Sequence, residues 1–148
     1  IIEKEQGSIP MTCYPFWEKN TKRVLNIGTA GGWTKASTGY TFKNSDKKSS
    51  ELVKFLQNDN QGSISMRSFQ KKSKFWFYDL LLLDILYRHN ELGSSIFSSL
   101  FKKGNPKLIF KFLDEETSFS EDAKVIVKCP KLPFLKALFN RIFFHRQK

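Results

Sequence analysis

The chain is short of acids. Fourteen Asp and Glu stand against twenty-five Lys and Arg, giving a formal charge of +11 and a pI near 9.7. No acid follows Asp122. Such a balance favours polyanions, either nucleic acid or the anionic cytoplasmic leaflet of a membrane. Cysteine is scarce too: Cys13 and Cys129 lie far apart, without a C-x-x-C. His89 and His145 have no ligand-like spacing to either, so no metal site is expected. A reduced, cytoplasmic protein with two small buried thiols is the simple expectation. No signal peptide opens the chain, which begins Ile1-Ile2-Glu3-Lys4 without Met, as though inside a strand. Long apolar runs are missing as well. The most apolar stretch, residues 75–87, is interrupted by Asp79 and Asp84. It is too short and too charged to cross a bilayer, so the protein is expected to lie on a membrane, not to span one.

What is abundant is aromatic: fifteen Phe, four Tyr and three Trp among 148 residues. That content suits a bulky core, an apolar ligand or a membrane face. Hydrophobic residues make up 40 %, too many for a disordered tail and enough for one ordinary core.

Along the chain, residues 1–5, 9–14 and 23–27 read as short strands, with Gly7 and Pro10 as punctuation. Residues 28–40 form a glycine-punctuated loop, and a helix is expected over 40–57. After a polar loop at 58–68 that contains Gly62, the remainder reads as helices. The first covers 74–89 and is apolar almost all round, as a buried helix is. Two more cover 94–103 and 106–113, with Pro106 suited to a first turn. Ser118 and Glu121 have capping-box spacing and should start another, which Pro130 and Pro133 end. A basic amphipathic helix is expected over 134–146. No internal repeat is present. Three short strands cannot make a stable sheet by themselves, so their neighbours are expected in chain before Ile1.

The strand, glycine-rich loop and helix at 24–57 carry some chemistry. Glycine lets a backbone approach a ligand closely. The helix start offers unpaired N–H groups and a positive dipole end. Together these suit an anion, or a ring with partial negative charge such as a reduced flavin. The pattern is neither a G-x-G-x-x-G fingerprint nor a P-loop. An ordinary tight loop accounts for it equally well.

The wording of the segment is more specific. Gly7-Ser8-Ile9-Pro10-Met11, then residues 23–32 ending Gly28-Thr29-Ala30-Gly31-Gly32, then Ser37-Thr38-Gly39-Tyr40 closely resemble the lycopene cyclase family. In that family a Gly-x-Ile-Pro-Met strand precedes a strand entering a Gly-rich turn, and Ser-Thr-Gly-Tyr opens the next helix. The resemblance is specific over residues 3–42 and looser to the end; it looks closest to the single-chain bacterial enzymes.

The resemblance implies a lycopene β-cyclase, closing the linear ends of lycopene into β-ionone rings without net redox change. It implies reduced FAD, with NADPH as electron source, and an α/β FAD/NAD(P)-binding flavoprotein fold. Of that fold this chain would be the C-terminal part, a few strands followed by a mostly α-helical region. Residues 1–57 would end a substrate- and FAD-binding domain, and 58–148 would be the helical region. On this basis Gly28, Ala30, Gly31, Gly32, Thr38, Gly39 and Tyr40 would border the flavin. Ile9, Pro10 and Met11 would lie near the substrate. Gly28-Thr29 stands where the wider superfamily often has Gly-Asp, which puts an acidic contact to the cofactor in doubt. The G-x-G-x-x-G and the upstream acidic motif of a full cyclase are absent. The catalytic acid is therefore expected upstream of Ile1, and this chain alone is expected to be inactive.

Three further features have competing explanations. The string Phe112-Leu113-Asp114-Glu115-Glu116-Thr117 resembles a catalytic string of plant-type cyclases, but lies after the flavin loop. It reads better as a helix end leading into the Ser118 cap. Basic residues among the aromatics of 67–78 read as a loop entering a core helix, ahead of membrane contact; nucleic acid is not the expected partner. Phe134, Leu135, Leu138, Phe139, Ile142 and Phe143 fall broadly on one side of the last helix. Core packing and peripheral attachment to an anionic inner-membrane surface explain that stripe equally well. Two other classes stay open: another flavoprotein of the superfamily (an isoprenoid reductase or hydroxylase), and a non-enzymatic basic membrane-surface module.

Overall fold

The computed structural model is helical wherever it has regular structure, and it describes residues 3–4, 6–7, 10–58 and 63–144. The expected strands 1–5 and 9–14 fall partly outside the described residues, as do Gly62, His145 and Arg146. The chain divides into two compact units, Ile1–Trp76 and Phe77–Lys148.

The first unit holds α1, Phe42–Gln57, and short 3-10 turns at Phe16–Lys19, Gly28–Gly31 and Met66–Ser68. Trp33 and Phe75 are buried. Phe69 meets Trp33 at 6.4 Å and Phe55 at 5.4 Å between ring centroids. Basic residues at the entry to α2 (Lys74–Arg88) cover ring faces: Lys72 Nζ sits 4.1 Å from the Trp76 ring and Lys74 Nζ 4.8 Å from that of Phe75. Each cation gains from the ring quadrupole while its stem shields the ring from water.

The second unit continues α2 and adds four helices. They are α3 (Leu92–Lys103), α4 (Pro106–Leu113), α5 (Phe119–Ile126) and α6 (Lys131–Phe144). Local chemistry sets the helix starts. The Asn105 side chain accepts from Lys107 N–H at 3.0 Å, with Pro106 at the first position, where its missing N–H costs nothing. Ser118 and Glu121 form the reciprocal capping box that opens α5. At the joint between α3 and α4 a Cβ on Gly104 would lie 2.6 Å from the Leu100 carbonyl oxygen, so only glycine lets the helices turn there.

Two apolar clusters fill this unit. Leu81, Ile85, Ile96 and Ala137 form one, with Phe134 and Leu138 packed against it. Leu100, Ile109 and Val125 form the other. Ile109 is 1 % exposed, and its burial contributes roughly 2 kcal/mol.

The α/β expectation is overturned: among the described residues there is no strand. Residues 23–27 show why. Ile27 is extended, with φ −120° and ψ 170°, but Val24 and Ile27 are 56 % and 57 % exposed. β-propensity describes a pleated surface with neighbours on both edges. Without a partner strand no ladder forms: Thr21 Oγ1 takes the N–H of Arg23 and Val24, Asn20 Oδ1 takes that of Asn26, and the Ile27 carbonyl accepts from Gly31 N–H. A smaller correction concerns Pro133. It does not end the preceding helix, which stops at Ile126; it sits in the first turn of α6, where proline is tolerated.

Candidate functional site

Residues 28–41 form a turn closed on its own hydrogen bonds. Gly28–Gly31 makes one turn of 3-10 helix, which Gly32 ends in the left-handed region at φ 70°. The N–H of Gly31 donates to Ile27, that of Gly32 to Thr29 and that of Trp33 to Gly28, at 2.9 to 3.1 Å. A second loop adjoins it. Lys35 N–H donates to the Tyr40 carbonyl and Gly39 N–H to that of Lys35, both at 2.8 Å. Tyr40 N–H donates to Thr38 Oγ1 at 3.3 Å. Hydroxyls tie the two loops: Thr34 Oγ1 lies 3.2 Å from Thr29 Oγ1 and accepts from Thr41 Oγ1 at 3.0 Å. Gly28, Ala30, Gly31 and Gly32 thus share one loop, and Thr38, Gly39 and Tyr40 the next.

The glycines have two different roles. A Cβ on Gly31 would fall 2.2 Å from the Asn26 carbonyl oxygen, and one on Gly32 would fall 3.2 Å from Phe16. These two let the chain close upon itself. Gly28 and Gly39 hold φ 59° and 72°, yet a Cβ on either would meet nothing within 4 Å. They present bare backbone to open space, where a planar ring can approach closely.

The start of α1 adjoins this turn. Thr41, its N-cap residue, makes no side-chain cap: its φ of −129° and ψ of −35° are not the extended backbone of a capping residue, and its hydroxyl donates back toward Thr34 Oγ1 and the Gly39 carbonyl. No acid lies in the first turn, so no carboxylate neutralises the positive dipole end. Asn44, in the same turn, is buried, and its Oδ1 finds no donor among the described residues. A buried acceptor left open is costly and calls for an explanation. An electron-rich ring bearing N–H groups fits the open glycines, the uncapped helix start and Asn44. It does not fit the amides of Gly31, Gly32, Gly39 and Tyr40, which the turn itself has taken.

The other expected site residues are less informative. Pro10 is exposed and Met11 is 54 % exposed; Ile9 lies outside the described residues. No group of three His, Cys, Asp or Glu side chains among the described residues could hold a metal ion.

Two structural residues had no visible signal in the sequence. Asn20 is 1 % exposed and fixes the approach to the turn. Its Oδ1 accepts from Asn26 N–H at 2.9 Å, and its carbonyl from Arg67 Nε at 3.1 Å. Asp122 is equally buried. It accepts from Thr117 Oγ1 at 2.6 Å and from the Tyr78 hydroxyl at 3.1 Å. The acidic string beside it splits: Asp114 caps the end of α4, Glu116 is exposed, and Thr117 turns inward to Asp122.

Among known proteins, the family model described as "Lycopene cyclase protein" matches residues 1–139. No curated protein and no solved structure matches the chain.

Proposed function

This chain belongs to the lycopene cyclase family, and on that ground we propose that its gene product closes the linear ends of lycopene into β-ionone rings. The family match over residues 1–139 carries the proposal. The order of Ile-Pro-Met, Gly-rich turn and Ser-Thr-Gly-Tyr along the chain supports it.

The reaction moves protons and no net electrons. A terminal double bond takes a proton, the next double bond attacks the resulting cation to close the ring, and a neighbouring C–H loses a proton. The demands on the protein are a dry apolar channel, so that water does not capture the cation, and negative charge or π-density beside it. Gly28, Gly39, Asn44 and the start of α1 are the groups that would hold reduced FAD, with NADPH as its electron source. Its negative ring would stabilise the cation electrostatically. Ala30, Gly31, Gly32, Thr38 and Tyr40 would shape the same border. Ile9, Pro10 and Met11 would line the approach of the hydrocarbon.

A lipid-soluble substrate calls for contact with a membrane. No helix among the described residues is long and apolar enough to cross one. The outer face of α6 supports peripheral attachment. Leu135, Phe139, Ile142 and Phe143 are each more than half exposed, and every charge after Asp122 is basic. We therefore place the protein on the anionic cytoplasmic face of the inner membrane.

The test is expression of the gene encoding this chain in cells that accumulate lycopene, with the extracted pigments separated by chromatography. Conversion to γ- or β-carotene is expected. Lycopene persisting beside soluble, flavin-loaded protein would turn the assignment toward a redox flavoprotein of related chemistry.

A further inference from the structure

We infer that the second unit carries a binding cleft for the headgroup of an anionic phospholipid, between the end of α2 and α6. The inference rests on the membrane reading above and assigns it a specific site. The cleft has a volume of about 420 Å³ and is lined entirely by residues 84–141 of that unit.

Its floor is apolar. Ile85 and Ala137 are buried core residues that also line the cleft, and Leu92 flanks them. Its rim is charged, and part of that charge is already matched. Arg141 grips Asp84 through two nitrogens, and His89 Nδ1 lies 3.1 Å from Glu91. Of the cations, Arg88 and Lys136 remain. Both line the cleft and are exposed, and neither has a carboxylate partner among the described residues. With Arg141 matched by Asp84, the lining keeps two cations, Arg88 and Lys136, against one carboxylate, Glu91, whose partner His89 is charged only when protonated; this cationic excess above an apolar floor matches an anion attached to hydrocarbon. The guanidinium can take a phosphate in bidentate fashion and the ammonium adds a point charge.

The surroundings favour a lipid over a free phosphate. Leu132 lines the cleft and is 64 % exposed. It stands three and seven residues before Leu135 and Phe139, which continue the exposed apolar face of α6. An acyl chain leaving the cleft past Leu132 would therefore remain on apolar surface. The end of α2 opposes the site, since a helix C-terminus disfavours an anion. Arg88 lies in that last turn and offsets it.

The experiment is vesicle flotation of the 148-residue chain. Vesicles of phosphatidylcholine alone are compared with equal mixtures of phosphatidylcholine and phosphatidylglycerol. Binding to the mixed vesicles is expected, with a loss of roughly thirtyfold in the double variant Arg88→Gln, Lys136→Gln. The control pair Lys102→Gln, Lys103→Gln removes the same charge from α3 and should lose less than about threefold. Leu132→Asp, an exposed change that suits a helix start, should weaken binding while leaving the fold intact. Equal losses in the two double variants would reduce the site to diffuse surface charge and overturn the cleft, leaving membrane attachment standing. No binding to any vesicle would overturn both. The short-chain soluble lipid dihexanoyl-phosphatidylglycerol should shift the amide resonances of residues 88–92, and glycerol phosphate at the same concentration should not. Equal shifts from the two would identify a free-phosphate site and overturn the lipid assignment.

Discussion

The Tyr78 hydroxyl donates to Asp122 at 3.1 Å, and the carboxylate that receives it is 1 % exposed. Thr117 Oγ1 donates to the other carboxylate oxygen at 2.6 Å. Tyr78 also stacks on Phe112, with centroids 5.9 Å apart. The start of α5 is thereby tied to α2 and to the turn after α4. Tyr78→Phe keeps the stack and removes one donor from a buried carboxylate, so it should cost about 1–3 kcal/mol. Urea unfolding checks this, and a variant as stable as the parent would deny the contact a structural role.

The same phenol makes stability fall in alkali. Burial, then the hydrogen bond and charge of Asp122, hold its pKa above the ordinary 10.0. The folded state therefore keeps the proton longer than the unfolded chain does. The stabilisation is complete below pH 10 and is lost as pH rises through the folded value. Thermal melts in that range should show a steeper decline for the parent than for Tyr78→Phe.

Glu121 makes the opposite prediction in acid. Lys111 Nζ, 2.7 Å away, and the Ser118 N–H hold its pKa down at about 2, against an ordinary 4.5. Its stabilisation is present above 4.5 and is lost as pH falls toward 2. Glu121→Gln should flatten that part of the stability profile. At neutral pH, Ser118→Ala should cost about 1 kcal/mol through the lost cap.

The glycines of the turn should separate by role. Gly31→Ala drives a Cβ into the Asn26 carbonyl, so the turn must open, and the fluorescence of buried Trp33 should report its exposure. Gly39→Ala meets open space and suffers only its left-handed backbone, a cost of about 1–2 kcal/mol. Trp33 emission should stay native in that variant.

Arg141 and Asp84 pair through two nitrogens, with Nη2 2.7 Å from Oδ1. Both side chains are about 30 % exposed. A lysine cannot reproduce the fork. Arg141→Lys should therefore cost nearly as much as Arg141→Gln, about 1–2 kcal/mol by chemical denaturation. Full stability in the lysine variant would show that charge alone sufficed.

Several features were legible in the sequence because their causes are local. Pro106 begins α4, and Ser118 with Glu121 begins α5, because a cap needs only residues two or three apart. The unbroken apolar run of α2, the Gly104-Asn105-Pro106 break after α3 and the one-sided stripe of α6 likewise located these helices to within a few residues. The family was legible in residues 7–40, where both wording and order are specific.

Tertiary structure decided the rest. Residues 23–27 have the composition of a strand, but strand formation depends on a neighbour that composition cannot report. The stripe of α6 was ambiguous between core and membrane, and packing divided it: Phe134 and Leu138 turn to the core, while Leu135, Phe139, Ile142 and Phe143 stay exposed. The burial of Asn20 and Asp122 depends on partners as far as 47 and 44 residues away. Helix caps and periodicity act within one or two turns of chain and so are written in the sequence. Strand pairing, burial and the cleft beside Arg88 and Lys136 arise only when distant segments meet.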